Sequence, residues 1–156
     1  MKNIIRVLSL VFVVVLLSGC GVEEKEVTKT CTLTTNDVAN GYKLEAVYKV
    51  YGKGKNVEKV ETIETITSSD EESLASFEDY FKESYESVNE VYGGYTNKVT
   101  NENGKVISET TIDYNEMDVE QYVKDNSSMK QYVTSDNKIS VNGIISIYEA
   151  LGATCE

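Results

Sequence analysis

The residues with the clearest chemical role are Leu17-Ser18-Gly19-Cys20, which follow an apolar run and precede a polar, charged one. This pattern is that of a lipobox. Lipoprotein signal peptidase requires a cysteine directly after the small pair, because the cysteine thiol carries the diacylglyceryl group, whereas a general secretory cleavage site has no such requirement. We therefore predict that Leu17, Ser18 and Gly19 are the signal peptidase recognition residues and that Cys20 is the lipidation site.

The segment before Cys20 has the features of a secretory signal peptide over residues 1–19. Lys2 and Arg6 form a short positive region, and an apolar core follows. The alternative is an uncleaved transmembrane helix, but uninterrupted apolar residues extend only from Leu10 to Leu17, too few to span about 30 Å of hydrocarbon. Two acyl chains on one cysteine give stable attachment. The predicted partner is therefore a membrane, and the predicted location is its extracytoplasmic face.

Composition restricts the other partners. Subtracting Lys2 and Arg6 from the 15 basic residues leaves 13 against 26 acidic ones, a formal charge of −13. Without a basic patch, binding to nucleic acid and electrostatic docking onto anionic lipid are disfavoured. The many Lys, Glu, Asn and Tyr residues are typical of low-GC Gram-positive bacteria, in which the anchor would lie in the cytoplasmic membrane and face outward.

The chain beyond Cys20 divides into two parts. Residues 20–30 are polar and charged without an apolar period, which predicts a flexible tether. Residues 31–156 have the length and apolar content of a single domain. The domain is bounded by Cys31 and Cys155, which we predict to form a disulfide in an exported protein. Closing a loop of about 125 residues would contribute about 4–5 kcal/mol in the chain-entropy model. Two free thiols or a metal pair are the alternatives, and the lack of His and of a CxxC spacing weakens the metal interpretation.

Catalytic chemistry has little support in the sequence. The chain has no His, which removes the most frequent general base and the commonest metal ligand. Acidic residues cluster at 70–72 and along 78–86, where a solvated helix face is the simplest interpretation. No calcium loop or phosphate-binding loop is present, so we predict no catalytic, cofactor or metal site. A carboxylate pair or a Ser–Lys pair remains the alternative source of hydrolytic chemistry.

The expected architecture is α+β, a single domain in which an antiparallel sheet of β-hairpins packs against about three helices. Apolar and polar residues alternate from Tyr42, and Asn103-Gly104 forms a favoured tight turn between two strands. Val57, Val60, Ile63 and Ile66 recur every three residues, which a bulge between Ile63 and Ile66 would reconcile with a strand.

Three helices are predicted at 69–90, 116–125 and 141–151. Ser69 with Glu72 fits a capping box for the first, Asn115 can cap the second, and Ser140 can cap the third. The residues from Met129 to Thr134 are predicted to form a short strand.

The chain as a whole resembles the YehR-like family of small bacterial lipoproteins. The resemblance rests on the lipobox, the Cys31-Thr-Leu-Thr start of the domain, the strand from Lys105 to Tyr114 and the closing segment from Ile147 to Cys155. The family has no defined function, so the resemblance implies an α+β domain with a lipid anchor and no active site.

We therefore expect a lipid-anchored extracytoplasmic protein with a non-catalytic domain that binds a protein, a peptide or another envelope component. The alternative is a small cell-envelope hydrolase that uses carboxylates or a Ser–Lys pair.

Overall fold

The structure is a computed structural model that describes residues 24–156. This part of the chain folds into six strands, three α-helices and a 3-10 helix. The strands are β1 (Glu26–Asp37), β2 (Tyr42–Lys53), β3 (Asn56–Ser68), β4 (Tyr95–Glu102), β5 (Lys105–Asp113) and β6 (Thr154–Cys155). The helices are α1 (Glu71–Tyr92), α2 (Val119–Asp125), the 3-10 helix (Ser127–Tyr132) and α3 (Val141–Ala150).

All six strands form one sheet in the order β4-β5-β3-β2-β1-β6, and every neighbouring pair is antiparallel. The predicted α+β class and antiparallel sheet are confirmed. Alternation along β2 places Ala46, Tyr48 and Val50 on one face, where they are buried, and exposes Glu45 and Lys49 on the other. We call these the inner and outer faces of the sheet.

A bulge is present in β3, but at Glu58 and not between Ile63 and Ile66 as predicted. Tyr51 pairs with Lys59 whereas Gly52 pairs with Val57, so Glu58 is the extra residue on the bulged strand. Val57 and Val60 therefore both point inward. Beyond the bulge the strand alternates regularly, which places Ile63 on the outer face with 45% of its surface exposed.

The β4–β5 hairpin forms as predicted. Asn103 and Gly104 have φ values of 53° and 73°. A two-residue turn of type I′ requires positive φ at both positions, a conformation that Asn and Gly adopt at little cost. Glu102 pairs with Lys105 across this turn.

Two of the predicted helix starts are wrong. Asp70, not Ser69, caps α1, because its side chain accepts a hydrogen bond from the Glu72 backbone amide at 3.1 Å. The cap of α2 is Asp118, not Asn115, and its carboxylate accepts from the Gln121 amide at 2.9 Å. In both helices the cap is the aspartate directly before the first helical residue, and its carboxylate accepts from a free amide of the first turn.

The third helix begins where it was predicted to begin. The Ser140 hydroxyl accepts a hydrogen bond from the Gly143 amide at 2.9 Å, which caps α3. The predicted strand at 129–134 is wrong, because most of this segment belongs to the 3-10 helix. Its buried anchor is Met129, and strand-like pairing is limited to a single bridge between Val133 and Ile139.

Two of the three hydrophobic clusters in the described residues hold the helices on the inner face, and the third surrounds the disulfide and also contacts α3. Helix α1 places Leu74 and Phe81 against Ile66 of β3 and Val106 of β5. The second cluster joins α3 and the 3-10 helix to the other half of the sheet through Val50, Val57, Val60, Met129, Ile139, Val141 and Ile144. The helices thus cover the inner face as two groups, and along β3 the two clusters are separated by Thr62 and Glu64.

Strand β1 begins at Glu26, earlier than the predicted domain start at Cys31. It pairs with β2 along its whole length, from Glu26 opposite Lys53 to Asp37 opposite Tyr42. Residues 26–30 are therefore part of the sheet and not of a flexible tether. The early start of β1 was not predicted, because Val27 is the single apolar residue in this polar part of the strand.

Candidate functional site

The predicted lipobox, Leu17, Ser18, Gly19 and Cys20, lies outside the described residues, as do the predicted signal peptide and the first residues of the tether. No helix within residues 24–156 is long and apolar enough to cross a membrane. The anchor therefore remains a prediction from the sequence.

The two domain cysteines are brought together at disulfide distance. Cys31 of β1 is opposite Cys155 of β6, and their sulfur atoms are 2.02 Å apart. Cys31 is fully buried beside Ala46, Tyr48 and Ala153. The pair joins the short last strand to β1, so it closes the edge of the sheet.

A group of polar side chains crosses the inner face between these two hydrophobic clusters. Ser108 and Thr110 of β5 are 0% and 3% exposed, and Asn97 of β4 donates to both hydroxyl oxygens at 2.8 and 2.7 Å. The next strand contributes Thr62, opposite Thr110, and Glu64, opposite Ser108. We call these five residues the polar strip.

A cleft of about 540 Å³ opens beside the polar strip, between α1 and the segment around α2. Its volume falls within the usual range for small-molecule sites. Six of its eleven lining residues are aromatic, and one, Glu64, carries a carboxylate. We call it the tyrosine cleft; its lining residues are Glu64, Tyr80, Phe81, Ser84, Tyr85, Val88, Tyr92, Tyr95, Ile112, Tyr122 and Asn126.

Glu64 is the chemically distinctive residue of the cleft. The Tyr85 hydroxyl of α1 donates to Glu64 Oε2 at 2.9 Å, and this is the hydrogen bond that the structure shows for the Glu64 carboxylate. Burial raises the pKa of Glu64, and the bond from Tyr85 acts in the opposite direction. Burial and then the nearby Glu64 carboxylate raise the pKa of Tyr48 to about 12. Tyr85 and Tyr148 also have pKa values raised by burial and by Glu64.

No lysine neutralises Glu64 within the described part of the chain. The four ion pairs there lie elsewhere: Lys43–Glu45, Lys59–Glu61, Lys82–Glu78 and Lys98–Glu109. A partly buried carboxylate without a cation is unusual, because removing a charge from water costs free energy that an ion pair normally offsets. Such a residue in a cleft is a candidate for a functional role.

Among residues 24–156, the structure brings together one Ser–Lys pair. Lys55 Nζ donates to Ser135 Oγ at 3.1 Å, and Ser135 Oγ lies 3.1 Å from Asp136 Oδ1. Both contacts are exposed to solvent. Lysines that act as general bases are usually buried, because burial favours the neutral amine. The exposed Lys55–Ser135 pair lacks this feature.

The acidic clusters of α1 do not form a metal site in the structure. Across residues 24–156, no three His, Cys, Asp or Glu side chains are grouped so that they could hold a metal ion. Glu71 and Glu72 lie in the first turn of α1, where they suit the helix dipole. Glu78 accepts hydrogen bonds from Lys82 and Asn101.

The sequence did not identify Glu64 or its tyrosine neighbours. In α1, Phe81 is buried in the core, and Tyr85 packs beside it while lining the cleft. The bulge was predicted at the wrong position, and its actual position at Glu58 is what shows that Glu64 faces inward. With Glu58 as the extra residue, Glu64 falls in the inward series with Val60 and Ile66, where a carboxylate is unexpected.

Comparison with known proteins shows a similar fold and gives no information on activity. No protein-family model matches the sequence, and no curated protein sequence matches it. The NMR structure of the E. coli YehR protein is 19% identical, aligns with 85% of this chain and 91% of that chain, and gives a TM-score of 0.53. An NMR structure of a protein from Streptococcus pneumoniae TIGR4 is 18% identical over 85% of this chain and 86% of that chain, with a TM-score of 0.46. The chain therefore resembles YehR in fold, as the sequence predicted, and the resemblance carries no activity with it.

Proposed function

We propose that this chain is a lipid-anchored, extracytoplasmic binding protein whose ligand site is the tyrosine cleft. The Leu17-Ser18-Gly19-Cys20 pattern supports the anchor, because lipoprotein signal peptidase needs the cysteine at this position. The observation that carries the binding function is Glu64, a carboxylate without a cation in an aromatic cleft. The partner would be an envelope protein or peptide.

The cleft has the composition of a recognition site. Tyrosine provides a large apolar surface with a hydroxyl at its end, and it loses little conformational entropy when it binds a ligand. Tyr92 and Tyr122 meet edge to face with their ring centres 5.2 Å apart, and the Tyr92 hydroxyl donates to Asp125 at 3.2 Å. These contacts hold two rings of the cleft wall in place before a ligand arrives.

Hydrolysis is less well supported than binding. Glycoside hydrolysis needs two carboxyl groups that flank the scissile bond, and the lining of the cleft supplies Glu64 alone. The Ser135–Lys55 pair is exposed to solvent and lies outside that lining. The geometry therefore favours a site that holds a ligand over one that transforms it.

The position of β1 defines how the domain would be attached. If Cys20 carries the lipid, the chain between it and Glu26 can span at most about 20 Å, since an extended residue covers about 3.3–3.6 Å. A domain on so short a connection would stay close to the bilayer. Its ligand would then be a component found next to the membrane surface.

The proposal has two parts, and each has its own experiment. For the anchor, Cys20→Ala should release the protein from the membrane fraction and abolish labelling by a palmitate analogue. A membrane-bound, labelled Cys20→Ala protein would overturn the anchor. The control is Cys155→Ala, which should leave the lipid label in place.

For the binding function, the detergent-solubilised full-length chain would be titrated with peptides cut from envelope proteins by trypsin. Amide NMR shifts should change around the tyrosine cleft, with Tyr85, Tyr95 and Ser108 as reporters. Shifts confined to the outer face of the sheet, or the absence of saturable shifts with any peptide fraction, would contradict the cleft as the binding site.

A further inference from the structure

The outer face of the sheet contains a carboxylate that is bonded to both a tyrosine hydroxyl and an ammonium, whereas Glu64 in the tyrosine cleft is bonded to a tyrosine hydroxyl alone. On β3, Glu61 accepts hydrogen bonds from the Tyr51 hydroxyl at 2.8 Å and from Lys59 Nζ at 2.7 Å. The same Lys59 ammonium lies 4.5 Å from the centre of the Tyr51 ring. A carboxylate, a tyrosine hydroxyl and an ammonium on an aromatic face thus form one unit, which we call the Glu61 triad.

The inner face has two of these three components. Glu64 is three residues farther along the same strand, and the Tyr85 hydroxyl donates to it at 2.9 Å. Aromatic rings of the tyrosine cleft surround the carboxylate. The third component, an ammonium, is missing: no lysine among residues 24–156 forms an ion pair with Glu64.

Resting on the binding function proposed above, we propose that the tyrosine cleft binds a primary alkylammonium group, such as a lysine side chain of a peptide. Glu64 would be its counterion, and the tyrosine rings would contact its methylene groups and its charge. The cleft would thereby form with its ligand the arrangement that the Glu61 triad forms within the protein.

Three physical factors favour a cation over a neutral ligand. An ammonium within about 6 Å of a tyrosine ring centre is attracted by the ring quadrupole, and the attraction grows when water is excluded. A bond between ionised groups is roughly twice as strong as a neutral hydrogen bond. The formal charge of −11 for the whole chain attracts cations toward any cleft of the protein.

An alkylammonium also fits the cleft better than a compact metal ion. The cleft of about 540 Å³ is lined mainly by rings and apolar groups, with a single carboxylate. A hard cation such as Ca²⁺ takes six to eight oxygen ligands, which this lining does not provide. A lysine side chain instead combines a long apolar stem with a compact charge.

The test uses the full-length chain in detergent and a pair of probes that differ in charge. N-acetyl-lysine N-methylamide carries the ammonium, and N-acetyl-norleucine N-methylamide has a similar stem without it. Calorimetry or NMR titration should give saturable binding of the lysine probe, with the norleucine probe weaker by about tenfold or more. Equal affinities for the two probes would overturn the proposal.

Two isosteric variants on one strand test the role of Glu64. Glu64→Gln should weaken binding of the lysine probe by about tenfold or more, whereas Glu61→Gln, the matched control on the outer face, should leave it unchanged. Thermal unfolding of both variants confirms that they fold. Wild-type affinity in Glu64→Gln, or an equal loss in Glu61→Gln, would contradict the assignment.

A third probe distinguishes a free amine from a peptide as the source of the ammonium. If n-butylammonium binds as tightly as the lysine probe, the ligand is a small amine; if it binds more weakly, the peptide backbone contributes. A cleft that binds envelope peptides but neither cationic probe would overturn the cation proposal and leave the binding function intact.

Discussion

Glu61 and Glu64 lie on one strand, three residues apart, and face opposite sides of the sheet. On the outer face, bonds from Lys59 and then Tyr51 lower the pKa of Glu61. On the inner face, burial raises the pKa of Glu64, and Tyr85 is its hydrogen-bond donor. The same residue type is thus stabilised in its charged form on the open face and destabilised on the covered face.

This difference indicates which of the two carboxylates has a role beyond stability. Glu61 offsets the charge of Lys59 within the fold. We expect Glu64 to lower the stability of the unliganded domain at neutral pH, because its charge is partly removed from water without a counterion. Residues that reduce stability while lining a cleft are typical of binding and catalytic sites, where function and stability compete.

The largest expected difference between the two faces is in apolar packing. Ile66→Ala should lower the free energy of unfolding by about 2–5 kcal/mol, because Ile66 is 3% exposed and packs against Leu74 and Phe81. Ile63→Ala, three residues away on the outer face, should cost about 1 kcal/mol or less. Urea denaturation of both variants measures the difference. Equal losses would show that the outer face is also covered.

The disulfide gives the next largest effect. Replacing both Cys31 and Cys155 with Ala should destabilise the domain by about 2–4 kcal/mol, because the bond closes a long loop. Thr32→Ala, an exposed neighbour on the outer side of β1, is the control and should change stability by about 0.5 kcal/mol or less. Intact mass should rise by two hydrogens on reduction of the wild-type protein. No mass change would show that the thiols are free.

We expect the loss of a tyrosine donor to cost more stability on the inner face, at Tyr85, than on the outer face, at Tyr51. Tyr85→Phe removes the hydrogen bond to a partly buried carboxylate and should cost about 1–2 kcal/mol at neutral pH. Tyr51→Phe leaves Glu61 paired with Lys59 in a solvated setting and should cost less stability than Tyr85→Phe. Chemical denaturation of the two variants tests this order, and the reverse order would contradict the description of Glu64 as the less well satisfied carboxylate.

The smallest expected effects are pH-dependent changes in the free energy of unfolding, and they have opposite signs in Glu64→Gln and Glu61→Gln. The folded-state pKa of Glu64 is raised above its ordinary value of 4.5, so its charge reduces stability as pH rises through and beyond that value. Glu64→Gln should therefore stabilise the unliganded domain at pH 7, and the gain should vanish at a pH of about 3.5, where Glu64 is protonated. Tyr48, Tyr85 and Tyr148 face this carboxylate and stay neutral over this range.

Glu61→Gln should behave in the opposite way. The folded-state pKa of Glu61 is lowered below 4.5, so its charge adds stability above that value, and this stability is lost as pH falls through the folded pKa. The variant should lose about 0.5 kcal/mol or less at pH 7, as expected for an exposed ion pair. Unfolding free energies at both pH values test the two signs together, and a shared sign would remove the contrast between the faces.

Most of the fold could be predicted from local patterns. The alternation in β2, the Asn103-Gly104 turn and the Ser140 cap each depend on a few neighbouring residues, and each prediction is confirmed. The helix caps at Asp70 and Asp118 were missed by one and three residues, whereas the error in β1 arose because a distant partner decides the outcome. Strand β1 extends back to Glu26 because β2 is long enough to pair with it, which the polar sequence of this segment does not reveal.

The candidate site could not be predicted, since it depends on how two helical groups meet over the sheet. Glu64 faces inward because the bulge lies at Glu58, and a period-two strand reverses its faces when one residue is added. Tyr85 reaches Glu64 from a helix that packs across β3, β4 and β5, so the pair is 21 residues apart in sequence and hydrogen-bonded in space. The predicted lipobox is the reverse case, because its pattern consists of four consecutive residues and needs no fold to be recognised.

The most direct test of the role of Glu64 is a carbon-detected NMR titration of the glutamate carboxyl groups, with the signals of Glu61 and Glu64 assigned through their Gln variants. We predict a pKa above 4.5 for Glu64 and below 4.5 for Glu61. Saturating N-acetyl-lysine N-methylamide should lower the pKa of Glu64 and leave that of Glu61 unchanged, because a bound ammonium favours the charged carboxylate. A Glu64 pKa at or below 4.5, or one that the lysine probe does not move, would contradict this role.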